Sequence, residues 1–195
     1  MPYYNPTPNL QLSEHFFKTS LPGLWYFQAP KFNDERGFFS EVVILPELEK
    51  VIGQPFTIKQ LNFARSHKNV VRGLHAEGWN KLVFVTKGLA FSAIADIRPQ
   101  SPTYLQTEYF QLSYNQESHQ GNGLLISQGL ANSYAVLQGP LNYLYLVDRL
   151  YSEREKKDEN GISIFDPQLK IKWPIKKEEM ILSDRDLQAP SLSEK

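Results

Sequence analysis

The chain contains no cysteine. Disulfide frameworks, thiolate metal sites and cysteine nucleophiles are thereby excluded. It also lacks an excess of either charge: 21 Lys and Arg stand against 21 Asp and Glu, for a formal net charge of zero at pH 7. A protein that grips nucleic acid by its phosphates carries a basic surplus, and none is present. No run of about 18 apolar residues occurs, so no membrane-spanning helix is expected. The opening residues Met1-Pro2-Tyr3-Tyr4-Asn5-Pro6 do not combine a basic segment with a following apolar stretch, so a secretory leader is not expected either. Histidine is scarce: His15, His67, His75 and His119 are the full set. What the chain does hold is apolar and aromatic material: 41% hydrophobic residues, with 12 Phe, 10 Tyr and 3 Trp in 195 residues. That suffices for one packed core and argues against disorder. The expectation is a soluble, cytoplasmic protein with a single domain over 1–195.

Along the chain, residues 1–15 read as an extended arm and 187–195 as a tail. Between them lie short strand-like runs. Leu24-Trp25-Tyr26-Phe27 precedes a turn cluster, Asn33-Asp34-Glu35-Arg36-Gly37, and Phe38-Phe39-Ser40-Glu41-Val42-Val43 follows. Pro46 to Ile52 reads as one short helix, with Pro in its first turn and Gly53 past its end. In the centre, Lys81–Thr86 and Phe91–Ile97 flank Lys87-Gly88 and predict a hairpin. Further strands are expected at 109–114, 124–127, 133–137 and 143–147, punctuated by Gly121-Asn122-Gly123, Gln128-Gly129 and Gly139-Pro140. This spacing predicts an all-β sandwich or barrel. The charged run from Ser152 to Gly161 reads as a solvated loop.

Few residues suggest chemistry by themselves. His75, in Val71-Arg72-Gly73-Leu74-His75, is open to three readings: core residue, metal ligand or proton-transfer group. Arg72 and His75 are three apart, so an extended strand would point them oppositely unless Gly73 supplies a bend. Metal-binding β-barrels of the cupin class use a His-X-His pair and a later His. Here those places hold Glu77 and Asn132, so no metal site is expected. Asp186 stands three residues after Ser183 and reads equally as a helix-capping partner. Tyr145 reads first as strand packing, and Arg36, Arg72 and Lys81 as solvated cations.

Taken in order, these segments resemble the nucleotide-sugar 3,5-epimerase family of dTDP-4-dehydrorhamnose 3,5-epimerase. The resemblance runs from about Gly23 to Pro190. It is carried by Asp34-Glu35-Arg36-Gly37-Phe38-Phe39, Gln60-Leu61-Asn62-Phe63, Arg72-Gly73-Leu74-His75, Lys81-Leu82-Val83, Tyr145, Tyr151, Phe165-Asp166-Pro167 and Leu182-Ser183-Asp184-Arg185-Asp186. It implies a double-sheet jelly roll of the cupin type with short peripheral helices, a homodimer, and no metal or organic cofactor. It implies inversion of C3 and C5 in a nucleotide-linked 4-keto-6-deoxyhexose, within deoxysugar or surface-polysaccharide synthesis. By resemblance His75 is the base, Asp186 its partner, Lys81 the stabiliser of an enolate and Tyr145 the acid. Arg36, Glu41, Gln60, Asn62, Arg72, Asn132, Tyr151 and Arg185 match positions that bind nucleotide and sugar. Two departures stand out. Asn132 replaces a His of the typical motif, and the loop Ala76-Glu77-Gly78-Trp79-Asn80 is short. Both point to a changed substrate with retained chemistry. The alternative is a cupin-like module that binds a nucleotide sugar without turning it over.

Overall fold

The computed structural model describes residues 2–114, 120–153 and 160–195. His119 and most of the charged run expected as a solvated loop, residues 154–159, lie outside these. The strands are β1 (Phe16–Lys18), β2 (Leu24–Pro30), β3 (Phe32–Asp34), β4 (Gly37–Phe39), β5 (Gln60–Ser66), β6 (Val71–Ala76), β7 (Lys81–Asp96), β8 (Thr107–Ser113), β9 (Gln120–Ile126), β10 (Leu130–Val147) and β11 (Asn160–Gly161). Two short α-helices accompany them, α1 (Leu45–Ile52) and α2 (Asp184–Leu187).

The expected hairpin at Lys87-Gly88 is not formed. Residues 81–96 make one strand of 16 residues, and 130–147, expected as two strands, make one of 18. Each bends in the middle and serves two sheets. The first half of β7 pairs with β9, and with the second half of β10, whose other edge takes β5. The second half of β7 pairs with β8, and with the first half of β10, which takes β6 and then β11. Sheet one is therefore β1-β2-β9-β7-β10-β5 and sheet two β8-β7-β10-β6-β11, with β7 and β10 common to both. Gly88 and Gly139 mark the bends. Gly88 has φ +89, and a Cβ there would stand 2.5 Å from the Gln138 carbonyl oxygen. Its composition suits a turn, but its conformation serves a bulge in a continuing strand.

The register slips at these bends, between Val136 and Tyr143 of β10. Inward parity changes with it. Val83 and Val85 face the core before the bend of β7, Ala90 and Ile94 after it; on β10 the inward residues are Tyr134 and Val136, then Leu141 and Tyr143. The core holds residues of both sheets, including Tyr26, Leu124 and Ile126 of sheet one and Phe110, Leu112 and Leu130 of sheet two. This is the double-sheet jelly roll.

The outer faces are covered too, so the strands read apolar on both sides. Helix α1 lays Leu45, Leu48, Val51 and Ile52 over Phe16, Phe27, Leu82 and Leu125 of sheet one. Pro46 sits in its first turn, and Gly53, at φ 72, closes it by donating its N–H to the Glu49 carbonyl. Ile164, Ile175 and Trp173 cover Val71, Phe91 and Ala135 of sheet two. The closing residues return to the body: Leu192 N–H donates to Asp166 Oδ2 at 2.6 Å.

Candidate active site

One end of the gap between the sheets stays open as a cavity of about 360 Å³. Sheet one supplies Gln60, Asn62 and Ala64 of β5, Lys81 of β7, and Tyr143 and Tyr145 of β10. Sheet two supplies Arg72 and His75 of β6, and Asn132 and Tyr134 of β10. Glu77, Tyr151 and Arg185 complete the lining from loops and α2.

The three-residue spacing of Arg72 and His75 is accommodated by a bulge. Against β10, Tyr134 pairs with Arg72 and Asn132 with His75, so three steps on β6 match two on its partner. Gly73 makes this possible with φ +126. A Cβ there would lie 2.4 Å from the Ser133 Cβ. Both side chains therefore face inward, while Val71, Leu74 and Ala76 pack outward.

His75 Nε2 lies 2.7 Å from Asp186 Oδ1. The Asp186 side chain is 5% exposed. Burial works to raise its carboxyl, but the hydrogen bond and charge of His75, helped by Ser183 and Arg185, hold it below the usual carboxylate range. The helix-capping reading holds as well: Ser183 Oγ accepts the Asp186 N–H at 3.2 Å. The backbone caps α2 while the carboxylate reaches His75.

Lys81 opens β7 and forms an ion pair with Glu77 inside the cavity. Its Nζ stands 5.7 Å from the Tyr145 ring centroid. Burial raises the Tyr145 hydroxyl above its ordinary value. The Glu77 carboxylate adds to this and Arg72 opposes it, so the phenol keeps its proton at neutral pH. Tyr143 is pushed up further by complete burial, and its ring stacks on Tyr134 at 4.3 Å. Arg72 Nε donates to Ser66 Oγ at 3.2 Å, and that oxygen lies 3.2 Å from the Tyr134 hydroxyl.

At the rim, Tyr151 is 45% exposed and meets Trp79 edge-on. Its N–H donates to Gln60 Oε1 at 3.0 Å. The short loop is fastened by Asn80, whose side chain donates to Asp148 and accepts from the Gln128 N–H. Among the described residues, no cluster of three or more His, Cys, Asp or Glu is placed to hold a metal.

Of the residues expected from the sequence, His75, Tyr145, Lys81, Gln60, Asn62, Arg72, Asn132, Tyr151 and Arg185 meet at this cavity, with Asp186 behind His75. Arg36 and Glu41 do not. Arg36 lies on the β3–β4 hairpin, its side chain 85% exposed and paired to Asp34. Glu41 is exposed beyond the same hairpin. Of the expected cations, Arg72, Lys81 and Arg185 converge on the cavity and Arg36 does not. Glu77, Tyr134 and Tyr143 were not anticipated. Glu77 was considered only as a missing metal ligand, yet its place two residues after His75 on an inward parity was a usable signal.

Comparison with known proteins points one way. The family model described as dTDP-4-dehydrorhamnose 3,5-epimerase matches residues 18–194. A Shigella flexneri dTDP-4-dehydrorhamnose 3,5-epimerase is 33% identical over 174 residues, covering 87% of this chain and 91% of that protein. The solved epimerase of Legionella pneumophila, in complex with dTDP-4-keto-L-rhamnose, superposes with a TM-score of 0.81 at 32% identity, covering 91% and 92% of the two chains. A 3'-monoepimerase of Streptomyces bikiniensis, in complex with dTDP-quinovose, gives a TM-score of 0.80 at 27% identity, covering 90% and 86%.

Proposed function

The chain belongs to the dTDP-4-dehydrorhamnose 3,5-epimerase family, and on that premise we propose that its cavity epimerises a nucleotide-diphospho-4-keto-6-deoxy sugar at C3, C5 or both. The observation that carries this reading is the opposition of two proton-transfer groups. His75 projects from sheet two and Tyr145 from sheet one into one cavity. A hydrogen on C3 or C5 is acidified by the neighbouring C4 ketone. His75, turned by Asp186 so that its other ring nitrogen accepts, takes that proton. Electron density moves to O4 as an enolate, which Lys81 stabilises from the start of β7. Tyr145 returns a proton to the opposite face of the ring, and the centre is inverted. The Tyr145 hydroxyl, held up by burial, enters the step protonated, as a proton donor must. Every proton transfer in this scheme is assigned to a side chain, so it calls for no metal or organic cofactor.

Arg72 and Arg185 supply guanidinium forks for the diphosphate, and Tyr151 a stacking surface for the base. Gln60, Asn62 and Asn132 take sugar or nucleotide polar groups. The enzyme works in the cytoplasm as a homodimer, in which the exposed β3–β4 hairpin carries Arg36 and Glu41 to the partner's cavity. The exposed Phe32, Phe38 and Phe39 of that hairpin suit burial against a second copy. No described helix is long and apolar enough to cross a membrane.

The test is a panel of 4-keto sugar nucleotides in deuterated water, read by NMR. The expected result is deuterium at C3 or C5, lost in His75→Ala. In Tyr145→Phe, abstraction continues but inversion stops. Tight binding with no exchange in the unaltered protein would instead identify a non-catalytic sugar-nucleotide module.

A further inference from the structure

Outside the cavity lining, a side-chain pair joins the two strands that both sheets share. Asn80 immediately precedes β7, and Asp148 immediately follows β10. The last rung between these strands pairs Lys81 with Val147. One residue further out, the ladder continues in side chains. Asn80 N–H donates to Asp148 Oδ1 at 3.0 Å, and Asn80 Nδ2 donates to Asp148 Oδ2 at 2.6 Å. Further out again, the Trp79 ring meets the Tyr151 ring edge-on, with centroids 6.4 Å apart.

A third contact fixes which way the Asn80 amide is turned. Its Oδ1 accepts the Gln128 N–H at 3.1 Å. A backbone N–H can only donate, so Nδ2 is the atom that faces Asp148. The β9–β10 turn holds the same loop once more, through Gly129 N–H to the Glu77 carbonyl at 3.1 Å. Lys81 does not depend on these ties. Its backbone is paired with Val147 on one side and Ile126 on the other. Trp79 belongs to no strand, and it is buried beside Asn80. Its place follows from the loop, and the loop is held by a charged acceptor, the stronger kind of hydrogen-bond partner.

We propose that Asp148 is a positioning residue for the nucleotide end of the cavity. Through Asn80 it fixes Trp79, and Trp79 braces the Tyr151 ring on which the base stacks. This rests on the nucleotide-sugar reading above and assigns a role to a residue outside the cavity lining. Such a brace acts on nucleotide binding. The proton transfers at His75 and Tyr145 proceed without it.

A double-mutant cycle tests the brace. Asp148→Asn sets two amide groups against each other, and Asn80→Asp sets two carboxylates. Made together, the two substitutions restore all three bonds with one direction reversed. The new amide at 148 donates to the new carboxylate at 80, which still accepts from Gln128. Calorimetry with dTDP, UDP, GDP and CDP finds the nucleoside diphosphate that binds. Deuterium exchange with its 4-keto-6-deoxy sugar then gives KM and kcat. Each single variant is expected to weaken nucleotide binding and raise KM about tenfold, with kcat within about threefold. The double variant is expected to return both to within about threefold of the unaltered protein. Asp148→Ala removes the acceptors without opposing like groups, and serves where a single variant does not fold. Trp79→Leu breaks the brace at its far end and is expected to weaken nucleotide binding in the same way. A loss of kcat with KM unchanged would mark a merely structural role and overturn the proposal. Single variants that bind nucleotide normally would overturn it too, as would a double variant no better than they are. An unaltered protein that binds none of the four nucleotides would overturn the nucleotide-sugar reading and the brace with it.

Discussion

At Asp186 one residue meets two demands. Its backbone N–H satisfies the cap of α2, and its carboxylate orients His75. Asp186→Asn keeps the backbone bond but can no longer act as an ionised partner. Solvent-exchange kinetics should therefore fall by about 10²- to 10⁴-fold, while thermal melting changes little. Asp96 is the structural counterpart. It is fully buried and accepts from Arg98 Nε at 2.8 Å, Arg98 Nη2 at 2.7 Å, Ser101 Oγ and Thr103 Oγ1. Burial opposes its ionisation, but the Arg98, Ser101 and Thr103 hydrogen bonds prevail and hold it far below the ordinary carboxylate value. A depressed carboxyl stabilises the fold in full above its unfolded pKa, about 4, and loses that contribution as pH falls through the folded value. Asp96→Asn should thus cost about 2–4 kcal/mol at neutral pH, with a difference from the unaltered protein that narrows toward acid. Denaturant melts at several pH values measure this.

The elements of the sheets show where such side chains come from. Gly73 lets β6 turn both Arg72 and His75 inward across three residues. Gly73→Ala should abolish exchange and lower stability by about 2 kcal/mol or more, because the new methyl meets Ser133 at a backbone angle that alanine resists. Circular dichroism melts and the exchange assay read the two effects. Much of this was legible in the chain. The Arg72–Gly73–His75 spacing called for a bend, and the Pro46-to-Gly53 punctuation framed α1 to within a residue. The hairpin at Gly88 and the break at Gly139 were misread for a physical reason. A glycine that ends a strand and one that bulges a strand have the same local composition. The difference lies in contacts with distant residues, Gln138 for Gly88 and Lys68 for Gly139, which local pattern does not contain. Glu77 escaped for a similar reason: its meaning depends on Lys81 folding back beside it. Arg36 shows the converse limit, since its motif is clear while in its own protomer it is exposed and does not line the cavity.

For the molecule as a whole, zero net charge conceals an uneven distribution, with Arg72, Lys81 and Arg185 gathered around one cavity. If hairpins are exchanged between protomers, two crippled chains can repair each other. A mixture of His75→Ala and Arg36→Ala chains should recover about one quarter of the unaltered rate after subunit exchange, though each variant alone is impaired. Sedimentation should show a dimer throughout, and no recovery would mean that Arg36 serves its own protomer or none. The two strands shared by both sheets carry a last implication. Because β7 and β10 run unbroken from one wall to the other, the walls cannot part like jaws on a hinge. The site is a fixed-gap calliper. Tyr145 stands on β10 and His75 on β6, which pairs with β10, so their spacing is fixed by that one strand and its pairing, and a sugar is gauged by thickness before any contact is made. Engineering wider substrates into this fold therefore means shaving side chains from the faces, since loosening the frame would separate Tyr145 from His75.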